Sequence, residues 1–227
     1  MSRSYLEVVY DEKRTPKSGY PDKLANYLCK RSGLEKGDKF LEIGPGRGDF
    51  LLAFKRLGLN CYGVDIEVNP NLSKEVEVKS GDVERDKLPY ADSEFDVVYH
   101  KSLIEHMDSP DNLMREAYRV LKPGGKVIVL TPDWVSQMKV FYEDITHKRP
   151  YDQTAVRDAL AMGGFRNIVV ERFHQLPIVW SLPPVKFVTA FLRIFLSAPG
   201  GRRITKFTRI KFFRWAVELM VLGVGEK

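Results

Sequence analysis

Residues 40–48, Phe-Leu-Glu-Ile-Gly-Pro-Gly-Arg-Gly, constrain this chain more than any other stretch. They read as the end of a buried strand running into a glycine-rich turn. Gly44, Gly46 and Gly48 alternate, and Glu42 sits just before them on the strand. Glycine reaches positive φ and leaves no Cβ in a ligand's way. Residues 49–57 have helix composition. The turn therefore lies between the carboxyl end of a strand and the amino end of a helix, where open α/β sheets bind nucleotide-like ligands. A dinucleotide fingerprint needs glycines at 44, 46 and 49, but position 49 is Asp49. A phosphate-binding loop needs Gly-Lys followed by Ser or Thr, which is absent.

Acidic residues recur at the ends of the strands that follow. Residues 60–66 read as a second apolar strand that ends in Asp65 and Ile66, and Asp65 lies 21 positions after Gly44. A carboxylate there can accept two ribose hydroxyl hydrogen bonds in a fork. A short alternating segment, 75–79, leads to Gly81-Asp82-Val83. Residues 95–99 form a fourth strand that ends at His100. Ser109-Pro110-Asp111 starts a helix, with Leu113, Ala117, Val120 and Leu121 at helical spacing. Lys122-Pro123-Gly124-Gly125 stops it, and residues 126–130 form a fifth, buried strand.

The Glu-x-Gly-x-Gly-x-Gly turn, the run 81–98 and Leu-Lys-Pro-Gly-Gly-Lys-Val-Ile-Val-Leu (121–130) together resemble class I S-adenosylmethionine-dependent methyltransferases. The resemblance covers roughly residues 35–173, plus a last strand at 219–224 similar to the family's antiparallel seventh. It implies a Rossmann-like, doubly wound seven-stranded α/β sheet, mostly parallel. It also implies S-adenosyl-L-methionine as cofactor, held by Glu42, Gly44, Gly46, Gly48, Asp65, Ile66, Asp82, Val83 and His100. Glu42 would accept from the ammonium of its amino-acid tail, Asp65 from the ribose, and Asp82 from the adenine amino group. His100 would sit at the rim.

A chain of 227 residues, 44% hydrophobic and 29% charged, suits one soluble globular domain, here 1–227. Within it, 1–34 reads as an N-terminal helical segment, with a first helix over 20–31. Cys29 and Cys61 make no disulfide framework, and the first residues lack a signal peptide's apolar core. A cytoplasmic location is expected, with no membrane span.

The net charge of +6 is uneven. Residues 182–215 carry eight Lys and Arg and no Asp or Glu, which leaves −2 for the rest of the chain. The segment is also rich in Phe. Phe187, Phe191 and Phe195, four apart, form one stripe of a helix with Val188 and Leu192. Residues 176–215 therefore read as an inserted pair of helices between the sixth and seventh strands, broken at Pro199-Gly200-Gly201. Such a cap suits a peripheral position on an anionic membrane surface. It also suits an entry for a negatively charged substrate, or a plain cover for the sheet with solvated cations. Nucleic acid is disfavoured, because the Asn/Asp-Pro-Pro-aromatic tetrapeptide of nucleic-acid amino methylation is replaced by Tyr99-His100-Lys101-Ser102.

Methyl transfer to a hydroxyl needs a group to take the proton, and His is the usual one. His147, in the segment 141–151, is the candidate catalytic residue. This Asp-x-Thr-His stretch, with Gly164-Phe165 beyond it, resembles methyltransferases of glycans and small molecules. Asp133 and Tyr151 are weaker acceptor-site candidates, and His106 reads as structural. Asp144 and His147 are two ligands where a metal site needs three or more, so no metal is expected. The acceptor is expected to be a hydroxyl or carboxylate of a small molecule, a sugar or a lipid-linked glycan. An isoprenoid quinone or lipid acceptor, or a cofactor-binding protein without activity, are the alternatives.

Overall fold

The computed structural model describes residues 16–227. The start of the expected N-terminal segment, residues 1–15, lies outside the described residues. Seven strands form one sheet in the order β3-β2-β1-β4-β5-β7-β6. They are β1 (Lys39–Ile43), β2 (Asn60–Asp65), β3 (Glu77–Ser80), β4 (Phe95–Lys101), β5 (Leu121–Pro132), β6 (Arg166–Phe173) and β7 (Met220–Glu226). Strands β1 to β5 pair in parallel, and β7 runs antiparallel between β5 and β6. The architecture is thus the mixed α/β sheet expected. β3 starts two residues later than the alternating pattern suggested, and β5 starts at Leu121 because the Pro-Gly-Gly run is already extended.

Side chains alternate across a strand, so a sheet covered on both faces needs consecutive apolar residues. Phe40 and Leu41, Val97 and Val98, and Val127 and Ile128 are such pairs, each split between two separate cores. Helices α1 (Tyr20–Ser32) and α2 (Asp49–Arg56) cover one face through Leu24, Leu28, Leu51 and Phe54. Helices α3 (Asp111–Val120) and α5 (Gln153–Met162) cover the other through Leu113, Ala117, Val156 and Leu160. A short α4 (Trp134–Gln137) follows β5. The strand order reverses between β1 and β4, which opens a crevice at their carboxyl ends.

Between β6 and β7 the chain forms four helices rather than two: α6 (Pro177–Ser181), α7 (Val185–Phe195), α8 (Ala198–Thr208) and α9 (Phe212–Val217). Pro199-Gly200-Gly201 does not break the segment. It lies in the first turns of α8, where proline's missing N–H would have no intrahelical partner anyway. The chain turns instead at Leu196 and Ser197. α6 and α9 dock on α1, with the Tyr27 and Trp180 ring centroids 4.8 Å apart and those of Tyr20 and Trp215 5.0 Å apart.

The phenylalanine stripe of α7 does not cover the sheet. Phe187, Phe191 and Phe195 are 69%, 62% and 76% exposed, and Val188 and Ile194 lie open beside them. Leu192 alone of the expected stripe packs inward, with Val185 and Trp215. The eight cations also divide. Arg202 pairs with Glu218 and Glu143, Arg214 pairs with Glu218, and Arg193 donates to the Ala216 carbonyl. Lys186, Arg203, Lys206, Arg209 and Lys211 remain exposed.

Candidate active site

The glycine turn holds its shape through positive φ at Gly44 (72°), Gly46 (52°) and Gly48 (84°). A Cβ at Gly44 would lie 2.9 Å from the Leu103 side chain, and one at Gly48 would overlap Leu72. Asp65, at the end of β2, ties the turn down. Its Oδ2 accepts from the Gly46 N–H at 2.8 Å and its Oδ1 from the Glu67 N–H at 3.2 Å. Burial raises the Asp65 pKa, and these N–H groups oppose the rise.

A cavity of about 160 Å³ lies over this turn. It is lined by Gly44, Asp65, Ile66, Asp82, Val83 and, on its far wall, His106. Asp82 and Val83 are fixed by the first turn of α3: Asn112 Nδ2 donates to the Val83 and Asp86 carbonyls, each at 2.8 Å. Glu84 Oε1 accepts from the Asp108 N–H at 2.6 Å. Further along the loop, Glu116 accepts from the Leu88 N–H at 2.8 Å, while Arg119 donates to the Leu88 and Tyr90 carbonyls. Sequence reading missed Asn112, Glu84, Glu116 and Arg119. Each acts through a partner about 25–30 positions away, which local spacing cannot reveal.

Glu42 is buried at the floor of the crevice. Its Oε2 has no hydrogen-bond partner among the described residues, and the same holds for the Tyr99 and Tyr20 hydroxyls. Burial raises the Glu42 pKa well above the usual carboxylate range, against the pull of Lys101. A buried carboxylate oxygen left without a donor suits an incoming ammonium group. His100 does not reach the rim. It is fully buried in β4, neither ring nitrogen has a partner among the described residues, and burial pushes its pKa down to about 3. The side chains of a strand alternate in direction, and the rim at this end of β4 is formed by Lys101 and Ser102 instead.

A second cavity, of about 430 Å³, adjoins the first and shares His106 with it. Its lining includes Lys101, Glu105, His147, Arg202, Arg214 and Glu218. His147 donates from Nδ1 to the Phe141 carbonyl at 2.6 Å, because a carbonyl can only accept. Its other nitrogen, Nε2, therefore carries the lone pair in the neutral ring. Burial lowers the pKa of both His147 and His106, which favours that neutral form. Glu105 is fully buried: its Oε2 accepts from Thr131 at 2.9 Å, and its Oε1 has no partner among the described residues. Burial pushes its pKa up to about 7. One ligand atom from each of Glu105, His106 and His147 lies within 4.8 Å of the other two. Glu105 was not singled out in the sequence. Asp133 and Tyr151 are both buried and meet in a β-bridge, where Asp133 caps α4 through the Ser136 N–H. Neither lines this cavity.

Residues 41–129 match the family model described as a methyltransferase domain. Over these residues the chain carries the methyltransferase domain that its resemblance to class I S-adenosylmethionine-dependent enzymes implied. It is 26% identical over 184 residues to demethylmenaquinone methyltransferase of Lactobacillus johnsonii, covering 64% of this chain and 75% of that one. It is 31% identical over 158 residues to phosphoethanolamine N-methyltransferase 3 of Arabidopsis thaliana, covering 61% of this chain and 31% of that one. The chain thus spans about a third of the length of the Arabidopsis relative. Its fold is that of Haemonchus contortus phosphoethanolamine N-methyltransferase 2, solved with phosphomonomethylethanolamine and S-adenosylhomocysteine. The TM-score is 0.68 at 20% identity, over 100% of this chain and 60% of that one. The cofactor of the family is S-adenosylmethionine. The residues at the glycine turn fit it: the Asp65 carboxylate at the end of β2, Gly44 and Gly48 without room for a Cβ, and the unsatisfied Glu42 oxygen.

Proposed function

We infer that the chain transfers a methyl group from S-adenosylmethionine to a hydroxyl or carboxylate of an amphiphilic acceptor, a sugar or a lipid-linked glycan. S-adenosylmethionine, when bound, supplies a methyl already activated on its sulfonium. The protein's task is to align the acceptor, exclude water and handle the acceptor's proton. Glu42, Gly44, Gly46, Gly48, Asp65, Ile66, Asp82 and Val83 hold the cofactor. The single observation that carries the reading is the polar cavity adjoining the cofactor cleft, with the lone pair of His147 Nε2 on its wall. His147 acts on the acceptor's proton. Replacing it with Ala is expected to slow turnover while leaving cofactor affinity intact, and unchanged turnover would remove it from the chemistry.

The acceptor comes from a membrane. Support lies in α7 and α8, which expose Phe187, Phe191, Ile194, Phe195 and Phe207 next to five exposed cations. Aromatic rings suit the headgroup boundary and Lys and Arg suit lipid phosphates. No helix among the described residues is long and apolar enough to cross a membrane, so the attachment proposed is peripheral, at the inner face. Flotation with phosphatidylglycerol vesicles is expected to carry the protein, and phosphatidylcholine vesicles far less. Equal behaviour with both, or with Arg203, Lys206 and Arg209 replaced, would reject the attachment.

A quinone ring is the second acceptor reading, favoured by the name of the Lactobacillus johnsonii relative. Feeding methyl-labelled cofactor with fractionated cell extract separates the two. Label is expected in a lipid or glycan fraction as an O-methyl. A C-methyl on a quinone would establish the second reading, and label in nucleic acid would overturn both.

A further inference from the structure

We propose that Glu105, His106 and His147 bind a divalent transition-metal cation on the wall of the acceptor cavity. The inference rests on reading that cavity as the acceptor site and deepens it. The three side chains come from two separate segments, the turn after β4 and the loop after β5, and bring one ligand atom each to within 4.8 Å of the others. Two imidazoles and one carboxylate form a donor set that suits first-row transition metals better than magnesium or calcium.

The surroundings are arranged as for ligands. Thr146 Oγ1 donates its one hydrogen to Asp144 Oδ1 at 2.6 Å, so at 2.9 Å from His106 Nδ1 it must accept. His106 Nδ1 therefore carries its hydrogen, as His147 Nδ1 does against the Phe141 carbonyl. Both rings are thereby fixed in the tautomer whose Nε2 holds the lone pair. An outer hydrogen bond on the second ring nitrogen is how metal-binding imidazoles are oriented. Glu105 is held the same way, by Thr131 on Oε2. Its Oε1 is fully buried without a partner among the described residues, a costly state for a carboxylate oxygen unless something positive meets it.

The other charges of the cavity leave room for that ion. Arg202 and Arg214 are taken up by Glu143 and Glu218, and Lys101 is the cation facing Glu105 without a hydrogen bond to its Oε1. The cation would hold the acceptor's oxygen in the cavity and make its hydroxyl more acidic, so that its proton could pass to water. With Nε2 spent on coordination and Nδ1–H on the Phe141 carbonyl, His147 would assist through the cation it holds and would not take the proton itself.

The test uses the untagged full chain, stripped with a chelator and titrated with Co²⁺. One equivalent is expected to bind and to give visible ligand-field bands, and Glu105→Gln and His147→Ala should each abolish them. Thr146→Val leaves all three ligands in place, removes the hydroxyl that joins His106 to Asp144, and should weaken Co²⁺ binding about 10- to 100-fold. S-adenosylhomocysteine affinity reports folding, because the substituted residues Glu105, Thr146 and His147 do not line the cofactor cavity. No Co²⁺ uptake, or uptake unchanged in His147→Ala and Thr146→Val, would overturn the proposal. If the protein still binds S-adenosylhomocysteine in that case, the methyltransferase reading stands and the metal alone falls.

Discussion

The crevice at the carboxyl ends of β1, β2 and β4 and the helical segment α6–α9 are built on opposite logics. In the crevice, the acids at the strand ends are held by named donors: Asp65 by Gly46 and Glu67, and the Asp82 loop by Asn112. In the helical segment, polar groups are satisfied on the inner side only, through Glu218, while α7 turns its apolar stripe outward. A soluble chain seldom leaves such a stripe open without a partner for it. The contrast is the basis of the proposed division, with small-molecule recognition in the first region and attachment in the second.

The comparison breaks most sharply at Asp65. Asp65→Ala removes the carboxylate proposed to hold the ribose and leaves the Gly46 N–H without its acceptor. Titration calorimetry with S-adenosylhomocysteine is expected to give about a hundredfold weaker binding. A loss under threefold would mean that the turn does not depend on β2.

Next in size is Glu218, 1% exposed, which joins Arg202 of α8 and Arg214 of α9 to the sheet. Glu218→Ala leaves two half-exposed guanidinium groups without their shared acceptor. A cost of roughly 2 kcal/mol is expected from urea unfolding. Cofactor affinity should hardly change if the two regions are independent.

His100 sharpens the account through pH. Its pKa is near 3 in the fold and about 6.5 in an unfolded chain. The unfolded state then takes a proton that the folded state refuses, so this group's stability is complete above pH about 6.5 and is lost as pH falls toward 3. His100→Leu should make the decline in that window shallower by up to about 1.4 kcal/mol per pH unit. An identical slope would mean that the imidazole is not held neutral.

The smallest expected effect on stability is on the stripe. Phe187→Ser, Phe191→Ser and Phe195→Ser each touch solvent, so unfolding free energy should move by no more than about 0.5 kcal/mol. Vesicle flotation should fall steeply in the triple variant. A large stability loss would mean that these rings pack in solution.

Much of the crevice was legible because it is local. The glycine turn, Asp65 and Asp82 sit at fixed distances along the chain, where strand, turn and helix signals coincide. His100 was misplaced because one residue along a strand exchanges the rim for the core. The convergence of Glu105, His106 and His147 was hidden because two loops about 40 residues apart must meet, and only the sheet brings them together. In the insertion, helical periodicity located the stripe on α7 but could not tell which way it faces. Pro199-Gly200-Gly201 read as a break because proline and glycine have opposite meanings at the two ends of a helix.

The central claim is that the bend from Gly44 to Gly48 grips a methionine-derived donor. A crystal structure of the chain grown with S-adenosylhomocysteine tests it most directly. The ribose is expected against the Asp65 carboxylate, the adenine beside Asp82 and Val83, and the amino group within hydrogen-bond reach of Glu42. Density for the ligand elsewhere, or none in that cleft at saturating concentration, would contradict it.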